Sequence, residues 1–195
     1  MSGHNDLTLD RRAVVATLLA DPGELLVITG LGAATYDAAA AGDRALNFYL
    51  WGAMGGTAMI GLGVALAQPR RRVLVLTGDG DMLMGLGSLA TIAASAAPNL
   101  AIAVLDNAAF GETGAQASHT GLGTDLAAVA AACGWGATAV ARDMAEVAAL
   151  RPRLRAERLF AVIRISPAEM ARHLPPRDGA HLTGRFRTAL GLAAP

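Results

Sequence analysis

Short runs of continuous apolar residues, each stopped by glycine, an acid or an amide, recur along this chain. ELLVITG (Glu24–Gly30), RRVLVLTG (Arg71–Gly78), NLAIAVLDN (Asn99–Asn107) and RLFAVIRI (Arg158–Ile165) show no alternation of apolar and polar positions. A strand that is apolar on both faces is covered on both faces, as in a parallel sheet flanked by helices. Helical segments fall between these runs: Leu7–Ala20, Gly56–Pro69 closed by its proline, Met82–Ala97, Leu126–Gly134 with Gly134 as C-cap, and one or two helices from Met144 to Glu157. Strands alternating with helices predict an α/β fold with a doubly wound, mostly parallel sheet. Ligands of such sheets sit beyond the carboxyl ends of the strands. Gly30-Leu31-Gly32, Gly78-Asp79-Gly80 and Asp106-Asn107 all fall at such ends and are expected to converge. Residues 1–166 read as one domain. Residues 167–195 carry weaker apolar periodicity and the arginines Arg172, Arg177, Arg185 and Arg187, and read as an arm making subunit contacts.

Composition narrows the chemistry. The 195 residues, 53% of them hydrophobic, suffice for one domain with a sizeable core. No apolar run reaches the roughly 18–20 residues of a membrane-spanning helix without glycine, proline or charge. The first residues carry acids early and too short an apolar stretch for a signal peptide, so a cytoplasmic location is expected. Sixteen cations balance sixteen acids, which gives no electrostatic case for nucleic acid or an anionic membrane. All sixteen cations are arginine. Schiff-base lysines, P-loop lysines and Ser–Lys dyads are therefore excluded. Cys133 is the single cysteine, which excludes an intrachain disulfide and a cysteine-based zinc site; it reads as a buried helix residue.

Acids at the ends of buried strands are costly to desolvate, so a positive partner is expected near Asp79. Asp79 and Asn107 offer hard oxygen donors at two successive strand ends, half of a cation site of the kind Mg²⁺ completes with phosphate oxygens and water. The Gly80-Asp81-Met82 turn opens a helix, whose free N–H groups suit an anion. Together they suggest a diphosphate held through a metal. Taken alone, Asp79 is equally a turn aspartate between glycines and Met54 a core filler. Gly30-Leu31-Gly32-Ala33-Ala34-Thr35 imitates a dinucleotide-binding fingerprint but lacks its third glycine and the acid about 20 residues on.

GDG at 78–80, followed by 26 residues and then Asn107, resembles the signature of thiamine diphosphate enzymes. NFYLWGAMGGTAMIGLGVALAQP resembles the diphosphate-binding (PP-type) domain of their decarboxylase branch. GETGAQASHTGLGTDLAAVAAACGW and PPRDGAHLTGRFRTALG are similar to the β subunit of sulfopyruvate decarboxylase and to phosphonopyruvate decarboxylases. The resemblance implies thiamine diphosphate and Mg²⁺ as cofactors, with Asp79, Asn107 and the carbonyl of Ala109 as metal ligands, beside Phe110 and Gly111. It implies that Gly78, Gly80, Asp81 and Met82 face the diphosphate, with the Asp81 side chain turned away to cap its helix. It also makes Met54 the support for the bent cofactor, Gly52 the acceptor for its amino group, and Gly30, Leu31 and Gly32 the opposite loop. The activating glutamate of the family lies on a separate pyrimidine-binding domain, for which 195 residues leave no room. An α subunit in a hetero-oligomer is therefore expected, with a small 2-oxo acid as substrate. A carboligase, an aryl 2-oxo acid decarboxylase and a non-catalytic subunit of the same fold are the alternatives. His119 is a candidate to face substrate or to be a loop histidine. Glu112 is one position from where some decarboxylases carry an acid. Arg177, Arg185 and Arg187 either recognise an oxyanion or make subunit contacts.

Overall fold

The computed structural model describes residues 7–192. Six strands form one parallel sheet in the order β2-β1-β3-β4-β8-β7. They are β1 (Leu26–Thr29), β2 (Asn47–Tyr49), β3 (Val73–Gly78), β4 (Leu100–Asp106), β7 (Thr138–Ala141) and β8 (Phe160–Arg164); β5 (Ala109–Phe110) and β6 (Gln116–Ala117) pair as a separate small hairpin. The four apolar runs of the sequence form the central strands β1, β3, β4 and β8. The edge strands β2 and β7 are short and partly exposed, and carry no long apolar run to announce them.

Side-chain alternation divides the core in two. Leu74, Leu76, Ala101 and Ala103 face a layer that includes α1 (Arg11–Leu19), α2 (Ala33–Ala40) and α7 (Met144–Ala156). Val73, Val75, Ile102 and Val104 face a layer that includes α3 (Thr57–Ala67), α5 (Ser88–Ser95) and α6 (Leu126–Ala132). Helices cover both faces of the sheet, so the strands need no polar side.

Several expected elements differ in detail. The helix anticipated over Met82–Ala97 is two, α4 (Asp79–Met84) and α5, broken at Gly85–Gly87. A Cβ on Gly85 would lie 2.2 Å from the carbonyl oxygen of Gly55, so this break is where a neighbouring loop reaches the helix backbone. The first helix begins later than Leu7. Asp10 caps it by accepting from the N–H groups of Arg12 and Ala13, while Leu9 bridges to Ile165. The segment after Met144 is one helix despite Pro152. Gly134, at φ +95°, follows the last residues of α6 as expected of a C-terminal glycine. Cys133 is only partly buried at that helix end. Within residues 167–195, α8 (Gly179–Ala189) packs onto this chain's own sheet edge: Phe186 meets Phe48 of β2 at 5.4 Å between ring centroids, and Arg185 pairs with Asp43 at 2.7 Å.

Candidate functional site

The carboxyl ends of β1, β3, β4 and β8 border a cavity of about 410 Å³. Leu31 follows β1, Gly78 and Asp79 stand where β3 becomes α4, Asn107 follows β4 and Ile165 follows β8. This is where the strand order reverses, between β1 and β3, which opens a crevice in a doubly wound sheet. Most of the lining is alkyl or aromatic, including Met54, Met84, Leu105 and Phe110; Asp79, Asp81, Asn107, Glu112 and Thr113 bring polar groups to it.

Asp79 is 2% exposed. Its Oδ2 accepts from the hydroxyls of Ser118 and, at 3.2 Å, Thr120. Burial pushes its carboxyl up to about 6; the two hydroxyls oppose that shift and the charge of Asp106 adds to it. Asp106 is itself buried. It accepts from the Thr120 hydroxyl at 2.7 Å and from Ala108 N at 3.0 Å, and it pairs with Arg164. Two carboxylates thus share one hydroxyl, with an arginine on the far one.

The local sequence explains how the hydroxyls arrive. Asn107 Oδ1 accepts from Ala109 N at 3.0 Å, an Asx turn that ends the strand. Ala108 takes φ +59°, a left-handed conformation that an alanine adopts only when its surroundings impose it. The chain then folds back through the β5–β6 hairpin, and Ser118 N donates to Ala108 O at 2.9 Å. Ser118 and Thr120 are buried while His119 between them is exposed, where the chain leaves β6 and enters a turn. Ser118 and Thr120 were not among the residues singled out from the sequence. The alternation of hydroxyl, histidine and hydroxyl in SHT was the signal available.

Of the residues named from the sequence, Leu31, Met54, Gly78, Asp79, Gly80, Asp81, Asn107, Ala109, Phe110 and Gly111 line the cavity. A Cβ on Gly80 would lie 2.9 Å from the Phe110 ring and 3.7 Å from the methyl of Met54, so these two side chains close directly over the first turn of α4. Gly30, Gly32, Gly52 and Met82 are outside the lining. Gly30 packs on Asp81 and Thr77, Gly32 is the N-cap of α2, Gly52 is exposed in its loop, and the Met82 side chain enters the core. His119 is also outside it, edge-on to Phe110 with centroids 6.3 Å apart. Glu112 lines the cavity and pairs with Arg172 at 3.4 Å. Arg177 lies over the ring of Trp51, and Arg185 is held by Asp43 and by the carbonyl of Asn47.

One expectation is overturned. Asp81 does not cap its helix: Gly78 is the N-cap residue, and no side chain bonds there. Asp81 is the third residue of α4, and its carboxylate reaches sideways to Gly55 N and the Thr77 hydroxyl.

Among the described residues no group of three or more His, Cys, Asp or Glu could hold a metal ion. A cation here would have one carboxylate, from Asp79, an amide oxygen from Asn107 and a main-chain carbonyl, leaving positions for the oxygens of a bound phosphate and water. That set suits Mg²⁺, which is commonly held by one or two carboxylates plus substrate phosphates. A buried aspartate bonded by hydroxyls is a donor set that fits such an ion.

A model of the family described as thiamine pyrophosphate enzyme, C-terminal TPP binding domain, matches residues 29–165. Phosphonopyruvate decarboxylase of Streptomyces hygroscopicus is 44% identical over 135 residues, 69% of this chain and 33% of that protein. Sulfopyruvate decarboxylase subunit beta of Methanocaldococcus jannaschii is 38% identical over 122 residues, 62% of this chain and 64% of that subunit. The chain thus spans about a third of the first relative's length and less than two thirds of the second's. Benzoylformate decarboxylase of Polynucleobacter necessarius superposes with a TM-score of 0.70 over 87% of this chain and 35% of that one; at 15% identity the likeness is one of fold.

Proposed function

This chain belongs to the thiamine pyrophosphate enzymes through their C-terminal TPP-binding domain, and we propose that it is the diphosphate-binding, β-type subunit of a 2-oxo acid decarboxylase whose substrate is sulfopyruvate or phosphonopyruvate. The observation that carries the reading is the buried Asp79, held by hydroxyls and facing the same cavity as Asn107. In this reading Asp79, Asn107 and the carbonyl of Ala109 hold Mg²⁺. The main-chain amides at Gly80, Asp81 and Met82 receive the diphosphate, Met54 supports the bend of the cofactor from beside Gly80, and the Gly52 carbonyl accepts from its amino group. Bound thiamine diphosphate supplies a carbon nucleophile for the 2-oxo group and a sink for the electron pair left when carbon dioxide departs.

This chain's own residues do the remaining work on their side of the site. Ser118 and Thr120 fix the direction of the Asp79 carboxylate. Arg164 neutralises Asp106, so that one of the two neighbouring acids is compensated from within the chain. Leu31, Phe110 and Ile165 exclude water from the cavity wall. The glutamate that activates the cofactor comes from an α-type partner; the subunit name of the Methanocaldococcus relative supports a two-chain enzyme. His119 reaches the cavity only through its contact with Phe110.

Co-purification with a pyrimidine-domain partner, followed by carbon dioxide release from a panel of 2-oxo acids, tests the reading. Turnover of sulfopyruvate or phosphonopyruvate by the complex, and not by this chain alone, is expected. Preference for an aryl 2-oxo acid would replace the substrate assignment. Absence of thiamine diphosphate binding by the complex in titration calorimetry would leave a non-catalytic subunit.

A further inference from the structure

The loop between β2 and α3 carries Met54 but has little regular structure of its own. Ala53 within it takes φ +59°, a conformation costing an alanine roughly 1 kcal/mol or more and maintained only where neighbours over-determine it. Within the loop, Gly56 N donates to Ala53 O at 2.9 Å. From outside, Gly55 N donates to Asp81 Oδ1 at 2.5 Å. The same carboxylate accepts from Thr77 at the end of β3, and it presses on Gly30 at the end of β1, where an added Cβ would lie 2.7 Å from Asp81 Oδ2. Asp81 is buried, so these bonds are shielded from water. Gly55 also rests its carbonyl against Gly85.

We propose that Asp81 is a positioning residue: its side chain latches the 53–56 loop to α4 and the ends of β1 and β3, and so places Met54 beside Gly80. The carboxylate is a structural acceptor and not a partner of the cofactor. The inference builds on the reading of the cavity as a thiamine diphosphate site, but its first test needs no cofactor. In the cofactor-free protein the ¹³C ε-methyl signal of Met54, assigned with Met54→Leu, reports the order of the loop.

Asp81→Ala removes the acceptor. The Met54 signal is expected to move to the averaged position of a mobile methionine, and thiamine diphosphate affinity to fall by about tenfold to a hundredfold. Asp81→Asn removes the charge but can still accept from Gly55 N and bond Thr77, and is expected to keep the native Met54 signal. Gly85→Ala drives a Cβ into Gly55 O and is expected to displace the same signal with Asp81 intact, which covers the case in which Asp81→Ala does not fold. A native Met54 signal in Asp81→Ala or in Gly85→Ala, or loss of it in Asp81→Asn, overturns the latch. Wild-type protein that shows an ordered Met54 signal but, in complex with its pyrimidine-domain partner, binds no thiamine diphosphate overturns the cofactor reading and leaves the latch standing.

Discussion

Asp37 and Asp79 are both buried acids on the carboxyl side of a strand, and their surroundings differ. Asp37, on α2, is fully enclosed, and two guanidiniums meet it: Arg11 at 2.7 Å and Arg12 at 3.2 Å. Burial raises its carboxyl from the ordinary aspartate range, and both arginines pull it back. Asp79, at the head of α4, meets the hydroxyls of Ser118 and Thr120 and has a second acid, Asp106, nearby. Asp37 is delivered with its counter-charge from within the chain. Among the described residues Asp79 has hydroxyls but no guanidinium of its own, and in the proposed function a cation from outside supplies the missing charge.

Substitution at the two positions breaks the comparison most directly. Asp37→Ala leaves Arg11 buried without its partner and should destabilise the protein by about 3–5 kcal/mol in urea unfolding; a loss below about 1 kcal/mol would mean that the pair is not needed by the fold. Asp79→Ala should preserve the far-ultraviolet circular dichroism while weakening retention of thiamine diphosphate and Mg²⁺ by about a hundredfold, or roughly 2.7 kcal/mol. Normal cofactor content would remove Asp79 from the metal site.

The cofactor-free protein offers a contrast in pH. The folded Asp79 titrates at about 6, above the ordinary aspartate value of 3.8, so between these values the folded state binds more protons than the unfolded. Stability should therefore fall as pH rises through that window and level off above it, by about 1–3 kcal/mol from this residue. Asp79→Asn should flatten the change and stabilise the cofactor-free protein near neutral pH by a similar amount. A pH profile that is the same with and without Asp79 would show the acid to be compensated after all. A smaller effect sharpens the role of the hydroxyls: Ser118→Ala should lower Mg²⁺ affinity by about tenfold, and Ser118→Thr should recover most of it. An unchanged metal affinity in Ser118→Ala would reduce that bond to a packing contact.

How the residues divide between legible and hidden follows from range. Strands β1, β3, β4 and β8 could be read because each is covered on both faces and therefore apolar throughout. The edge strands β2 and β7 have partly exposed surfaces, and α2, AATYDAAA, is so rich in alanine that its helical period scarcely registers. Asp79 and Asn107 were legible from their spacing, since one strand–helix–strand unit between them brings two strand ends together. Asp81 was misread as a cap because a helix-start acid usually bonds its own backbone; a loop 26 residues earlier in the chain supplies its partner here.

By itself the sequence determined the doubly wound sheet, the edge on which its polar residues gather and the convergence of Asp79 and Asn107 on one cavity, because hydrophobic period and strand-end spacing are local properties that survive without knowledge of neighbours. Tertiary structure alone decided that Ser118 and Thr120 would orient Asp79, that Arg164 would neutralise Asp106 and that Asp81 would hold the Met54 loop. Those contacts join segments as much as 58 residues apart, and their direction depends on which side chains the packed sheet turns inward.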